Sequence, residues 1–158
     1  MKLCILGGGL TGLSLAKSLV KKGLSIDIFL NKKKSDFNRS RTIGISNDNL
    51  MYFNKEILDI KKLFWDIKKI EIYSDNLRNE KILNFENNNK TVFAIIRNYQ
   101  LQSKLLKSLK KDKLCKFKQN FDYNLSNLKK YKLIINCEND NYFSKKFFAR
   151  SLKKKYDS

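Results

Sequence analysis

The residues best placed to do chemistry are six near the start of the chain, Gly7-Gly8-Gly9-Leu10-Thr11-Gly12. Gly7, Gly9 and Gly12 fill the glycine positions of a G-x-G-x-x-G fingerprint, and each has its own physical reason. The first permits a tight turn, and the second lets a pyrophosphate approach the backbone. The third lets a helix pack close to a strand. Gly8, Leu10 and Thr11 complete the segment, where free N–H groups at a helix start attract an anion. The chemistry expected here is nucleotide binding by the backbone, with no catalytic side chain in the motif.

Such a loop works only if elements on either side hold it. Lys2 to Leu6 reads as an apolar strand, Leu13 to Gly23 as a helix and Ser25 to Leu30 as a second strand. Leu10, Leu13, Ala16 and Val20 recur at helical spacing, and Gly23 sits where a helix C-cap belongs. A secretion signal would also begin with a lysine and an apolar run. Here glycines interrupt the run, Lys17 follows soon, and no small-x-small cleavage site stands out.

The 158 residues suffice for one domain with a real core and are short for two, so the expectation is a single domain over 1–158. A hydrophobic fraction of 42% indicates a folded globule rather than a disordered chain. No apolar stretch approaches the roughly 20 residues that cross a bilayer. With no histidine, a Ser-His-Asp triad, a histidine metal site and a histidine general base are excluded. Cys4, Cys115 and Cys137 share no metal-ligand spacing and read as buried strand cysteines in a reducing cytoplasm.

Net charge is +19, from 34 Lys and Arg against 15 Asp and Glu. That balance raises nucleic acid or an anionic membrane as partner. The lysines are scattered over every element, however, and the abundance of Lys, Asn, Ile and Phe with no Pro fits an AT-rich genome. No nucleic-acid partner is therefore expected.

Further along, Arg41 to Ser46 leads into a helical stretch from about Asn47 to Ile57, with a second short helix through Leu63 and Trp65. Lys68 to Tyr73 and Lys81 to Phe85 read as a small antiparallel insertion. Thr91 to Arg97 is an apolar strand running into a helix over Gln100 to Lys111, with Leu101, Leu105, Leu106 and Leu109 on one face. Leu114 to Phe117 and Tyr131 to Cys137 read as strands, the latter buried, and Phe143 to Leu152 as a helix. Repeated strand–helix–strand units indicate an α/β, Rossmann-like domain whose parallel sheet has helices on both faces.

In this order the features resemble the N-terminal half of the flavin-dependent aromatic hydroxylases, particularly the ubiquinone-biosynthesis branch. The glycine segment is one match. Arg41-Thr42-Ile43-Gly44-Ile45-Ser46 is similar to that family's Arg-x-x-Ala-hydrophobic-Ser segment, and Ile70 to Asp75 resembles the strand that follows there. Ile95-Ile96-Arg97 with Leu101 and Leu105 resembles an Arg-x-x-x-Leu-x-x-x-Leu helix start. Leu133 to Asn141 stands where the family has a strand ending in Gly-Ala-Asp-Gly.

The resemblance implies FAD across the C-terminal ends of the parallel strands, its pyrophosphate on Gly7 to Gly12. It implies NAD(P)H as reductant, O₂-dependent hydroxylation of an aromatic ring, and Arg41 and Arg97 near the flavin or its phosphates. A cytoplasmic protein follows, at most peripheral to the inner membrane, with quinone-pathway proteins among its partners.

Three departures accompany the match. The ribose of such nucleotides meets an acidic residue about 20 residues after the glycines; here Leu30 stands there, with Asn31 beside it to hydrogen-bond a hydroxyl more weakly. The Asp-Gly pair becomes Glu138-Asn139, keeping the charge and losing the glycine. The third flavin motif, a strand ending in Gly-Asp, has no counterpart, and neither has the substrate-covering sheet. The expectation is thus a truncated FAD-binding portion whose partner is the missing C-terminal half. Two other readings stay open, a degenerate nucleotide-binding module without redox chemistry and a basic nucleic-acid-binding protein.

Overall fold

A computed structural model describes residues 2–30, 39–75, 78–88, 90–119, 121, 129–138 and 141–147. In chain order the elements are β1 (Lys2–Leu6), α1 (Leu10–Lys21), β2 (Ser25–Leu30), β3 (Thr42–Ser46), α2 (Asn47–Tyr52), β4 (Phe64–Ile67) and β5 (Lys69–Tyr73). They continue with β6 (Lys81–Glu86), β7 (Phe93–Arg97), α3 (Asn98–Lys110), β8 (Cys115–Gln119), β9 (Leu133–Asn136) and α4 (Tyr142–Phe147). They fall into two compact units, one of Met1–Lys33 with Asp112–Ser158, the other of Lys34–Lys111.

The first unit is built on a parallel sheet with strand order β8-β2-β1-β9. Leu3 lies opposite Ile26 and Leu133, and Ile28 lies opposite Ile5 and Phe117. Side chains alternate across a strand, so Leu3, Ile5, Ile26 and Ile28 share the face on which α1 lies, and all four are buried. Each such side chain contributes about 1.5–3 kcal/mol on leaving water. Leu13, Ala16 and Val20 are the buried stripe of α1. The helix ends at Gly23, whose φ of +78° favours a residue without Cβ. There the Gly23 and Leu24 N–H groups bond the Val20 and Leu19 carbonyls, the paired bonds of a Schellman ending.

The opposite face of this sheet is covered, among the described residues, by a largely aromatic cluster. Cys4, Leu6, Phe29 and Tyr131 form a buried cluster with Phe121, Ile134 and Phe143 packed on it. Phe29 meets Phe121 edge-on at 4.8 Å, and only Phe143 of these comes from a helix, α4. β9 is shorter and less buried than the sequence suggests: Leu133 is 52% exposed, while Tyr131, before the strand, is buried. Of the helix expected over Phe143 to Leu152, Tyr142–Phe147 is observed, and 148–152 lie outside the described residues.

The second unit holds an antiparallel sheet of order β3-β7-β4 and the separate pair β5-β6. Two expectations are corrected here. Leu63 to Trp65 is not helical, because Phe64–Ile67 pairs antiparallel with β7, Trp65 opposite Ile95. Isolated Phe and Trp residues lose rotamer freedom in helices and fit a pleated surface better. The apolar strand around Phe93–Arg97 joins this antiparallel sheet, between β3 and β4, rather than the parallel one. Its Ala94 and Ile96 are buried, as an alternating strand requires.

α2 runs into one turn of π-helix, Phe53–Ile57, where the Leu58 N–H bonds the Phe53 carbonyl at 2.9 Å. The Asn54 side chain then accepts the Ile60 N–H at 2.7 Å and ends the helical run. α3 buries Leu101, Leu105 and Leu109. β5 and β6 form the expected antiparallel pair, from Lys69 opposite Glu86 to an irregularity at Ile72 and Tyr73.

Candidate functional site

β1 delivers its chain end to the glycine segment, and three glycines there meet three different surroundings. Gly7 has φ +112°, and its N–H bonds the Phe29 carbonyl at 3.0 Å. A Cβ on Gly7 would sit 2.9 Å from Cγ of Glu138, and one on Gly12 only 2.2 Å from the Gly7 carbonyl oxygen. Gly12 is therefore the close-packing glycine, holding α1 against the end of β1. Gly9 differs from both. It is exposed, and a Cβ there would meet nothing within 4 Å.

Gly9 is also the N-cap of α1. Its carbonyl accepts the first helical bond, from the Leu13 N–H at 3.0 Å, and no side chain caps the helix. The N–H groups of Leu10, Thr11 and Gly12 precede that first bond and lie at the positive end of the helix dipole. Gly7, Gly8, Gly9, Leu10, Thr11 and Gly12 thus form a loop closed toward the sheet and open outward at Gly9. That shape fits a pyrophosphate.

The neighbouring strands frame the loop. β9 runs beside β1, the Cys137 N–H bonds the Leu6 carbonyl at 2.9 Å, and Glu138 follows against Gly7. Glu138 is half-buried and its N–H bonds Asn136 Oδ1 at 3.1 Å. On the other side, Leu30 at the end of β2 lies over Gly8: a Cβ on Gly8 would be 2.3 Å from Leu30 Cδ2. An apolar side chain therefore occupies the strand end where a ribose-binding carboxylate would stand. Asn31 and Asn139 lie outside the described residues.

In the second unit, Arg41 and Arg97 come together at one end of the β3-β7-β4 sheet. Arg97 pairs with Thr42, and the Asn98 N–H bonds the Arg41 carbonyl at 3.0 Å. Both arginines are exposed, and the Arg97 guanidinium lies 5.3 Å from the centre of the Trp65 ring. That stacking depends on Phe64–Ile67 being a strand.

Two groups escaped the sequence reading. Asn136, Asn141 and Ser144 form a network behind Glu138. The Asn141 amide bonds Asn136 Oδ1 at 2.6 Å, the Asn136 amide bonds Ser144 Oγ at 2.9 Å, and Ser144 Oγ donates to the Glu138 carbonyl at 2.9 Å. Asn141 also caps α4, accepting the Ser144 N–H at 3.0 Å. The signal was available, since Asn141 and Ser144 stand at cap spacing.

The other is Asp27, wholly buried in β2. Its Oδ2 accepts from Lys118 Nζ at 2.6 Å, Tyr131 Oη at 2.7 Å and Lys2 Nζ at 3.1 Å, while Oδ1 has no partner among the described residues. Burial pushes the carboxyl up, but the hydrogen bonds from Lys118, Tyr131 and Lys2 outweigh it and hold its pKa below the ordinary value. Its only sequence signal was one acid inside an apolar strand.

The cysteines are free thiols. Burial, with Asp27 next, pushes Cys4 up to about 12, and burial, with Asp112 next, pushes Cys115 up to about 11. Both are poor nucleophiles at neutral pH. Cys137 is half-buried just past β9, not inside a strand as expected. Among the described residues no cluster of His, Cys, Asp and Glu could hold a metal ion, and no helix is long and apolar enough to cross a membrane.

No protein-family model matches the sequence, and no curated protein matches it. Solved structures do match. PqsL, a probable FAD-dependent monooxygenase from Pseudomonas aeruginosa, superposes with a TM-score of 0.70 at 10% identity, over 99% of this chain and 48% of its own. The p-nitrophenol 4-monooxygenase PnpA of Pseudomonas putida gives 0.61 at 15%, over 75% of this chain and 31% of its own. HpxO of Klebsiella pneumoniae, solved with FAD and uric acid, gives 0.55 at 19%, over 74% and 30%. At these identities the likeness is one of fold: a mixed α/β chain with the architecture found in FAD-dependent monooxygenases. The chain spans less than half the length of each of these three.

Proposed function

We propose that this chain is the FAD-binding portion of a flavin-dependent aromatic hydroxylase of the ubiquinone-biosynthesis type. The observation that carries the reading is the glycine loop, sealed at Gly7 and Gly12 and open at Gly9, at the C-terminal edge of a parallel sheet. Gly7 to Gly12 hold the pyrophosphate with backbone N–H groups, Glu138 borders the loop, and Asn31 takes the ribose side. Arg41 and Arg97 offer guanidinium groups to phosphate or flavin oxygens. FAD, reduced by NAD(P)H, supplies the oxygen chemistry. In this reading the chain's share is to bind and orient the cofactor, and a further polypeptide segment supplies the substrate-covering part.

The test is a fluorescence titration of FAD with the purified chain. Saturable quenching with a flavin spectrum retained through gel filtration is the expected result. Free FAD at high micromolar protein would remove the cofactor assignment. Leu30 over Gly8 favours a second reading, a phosphate-binding module that has lost its hold on adenosine. It predicts that ADP and FAD bind no better than inorganic pyrophosphate.

A further inference from the structure

α3 carries two stripes of different character. Leu101, Leu105 and Leu109 are buried, whereas Tyr99, Ser103, Leu106, Lys107 and Lys110 recur at helical spacing on another side of the helix. With Arg39 these five line a cavity of about 330 Å³. None of the six is acidic, and among the described residues no carboxylate pairs with Arg39, Lys107 or Lys110. Among the described residues, three cations therefore share one concavity with no carboxylate paired to them, in a protein that elsewhere pairs lysines with Asp27, Asp112 and Glu71.

From this geometry we infer a binding site for a small phosphomonoester carried on a flat ring. Three positive charges suit a dianion better than a carboxylate. The Arg39 guanidinium presents a planar fork that matches phosphate oxygens, and Lys107 and Lys110 act as point charges beside it. Ser103 adds a hydroxyl donor. Tyr99 and Leu106 form the apolar wall on which a ring rests. The volume stands at the lower end of the roughly 300–1,000 Å³ range of ligand pockets, which suits one ring with its phosphate and not a dinucleotide. The site uses none of the glycine-loop residues and does not depend on the FAD assignment.

The experiment is calorimetric titration of the full chain with phenyl phosphate at physiological salt, with inorganic phosphate and benzoate as parallel arms. The variants are Arg39→Gln/Lys107→Gln/Lys110→Gln and, removing the same charge from exposed positions outside the cavity, Lys61→Gln/Lys62→Gln/Lys68→Gln. All six side chains are exposed, so both variants keep the fold, which melting curves verify. The site predicts one-to-one phenyl phosphate binding that the cavity variant weakens at least about tenfold and the control leaves alone. It also predicts weaker binding of inorganic phosphate, which lacks the ring, and of benzoate, which lacks the second charge. No saturable binding overturns the site. Equal weakening by both variants overturns it in favour of diffuse attraction by the net charge. Inorganic phosphate binding as well as phenyl phosphate overturns the ring-bearing ligand.

Discussion

The parallel-sheet unit and the β3-to-α3 unit contain the same kinds of feature, a glycine tight against a neighbour and a carboxylate between lysines. In the first, Gly12 abuts the Gly7 carbonyl, and Asp27 has no exposed surface. In the second, a Cβ on Gly44 would stand 2.7 Å from the edge of the Phe93 ring, and Glu71 sits partly exposed between Lys81 and Lys69, on a hairpin whose β6 is exposed throughout. What differs is whether the neighbour can yield. A backbone carbonyl at the end of a strand cannot, while a half-buried ring can turn. Likewise a buried charge deprived of its partners has no water to turn to.

The glycines give the largest test. Gly12→Ala places a Cβ 2.2 Å from a fixed carbonyl and is expected to cost about 3 kcal/mol or more, at or beyond the usual overpacking range. Gly44→Ala asks only that Phe93 move, and the expected cost is about 1 kcal/mol. Urea unfolding of both variants measures the pair. Equal losses would show that the two units are built to the same tolerance. Gly9→Ala separates fold from binding in the same loop, because its Cβ meets nothing. Its unfolding free energy should stay within about 1 kcal/mol of the parent's, while any affinity for pyrophosphate falls.

Asp27→Asn comes next. It leaves Lys2 and Lys118 facing an uncharged buried group, but both lysines are more than a third exposed and can swing into water. The expected loss is therefore about 2–3 kcal/mol, below that of a fully buried pair. The pH dependence carries the sign. The folded carboxyl titrates lower than the unfolded one, so the unfolded chain binds the proton first as pH falls. Its stabilisation is complete above about pH 4 and is lost as pH drops through the lower folded value. Urea midpoints measured downward from pH 5 should fall in the parent and stay flatter in the variant.

How much of this was legible depends on the range of the interaction. The glycine loop, α1 and the β5-β6 pair follow from local spacing, and the structure has them where the sequence puts them. Trp65 misled because four residues of short strand carry too little periodicity to be told from a helical turn, and only pairing with β7 decides. Phe93–Arg97 misled for a related reason: an apolar run says that a strand is buried, not which sheet receives it. Asp27 was unreadable because its meaning lies in Tyr131, 104 residues away. Leu30 was legible as a missing acid. Its packing over Gly8 was not.

That packing sets a smaller prediction. Leu30→Glu supplies a carboxylate at the end of β2 and removes the methyl groups from above Gly8. One charge-assisted hydrogen bond to a ribose hydroxyl is worth about 1.5–3 kcal/mol, so FAD or ADP affinity should rise by at least about tenfold, with pyrophosphate affinity unchanged. A gain for pyrophosphate as well would mean that Leu30 obstructs the loop rather than lacking a contact.

The smallest effect belongs to the carboxylate of the exposed hairpin. Hydrogen bonds from Lys81 and then Lys69 hold Glu71 at about 2, a lower carboxyl than its surroundings in water would suggest. Yet both lysines and the glutamate remain in contact with solvent, where salt screens the attraction and long side chains lose freedom to hold it. Glu71→Gln should leave the urea midpoint at physiological salt where it is. A lowered pKa beside lysines thus marks stability at Asp27 and only proximity at Glu71. A drop for Glu71→Gln matching that of Asp27→Asn would erase the distinction and show that the hairpin, too, is sealed from water in solution.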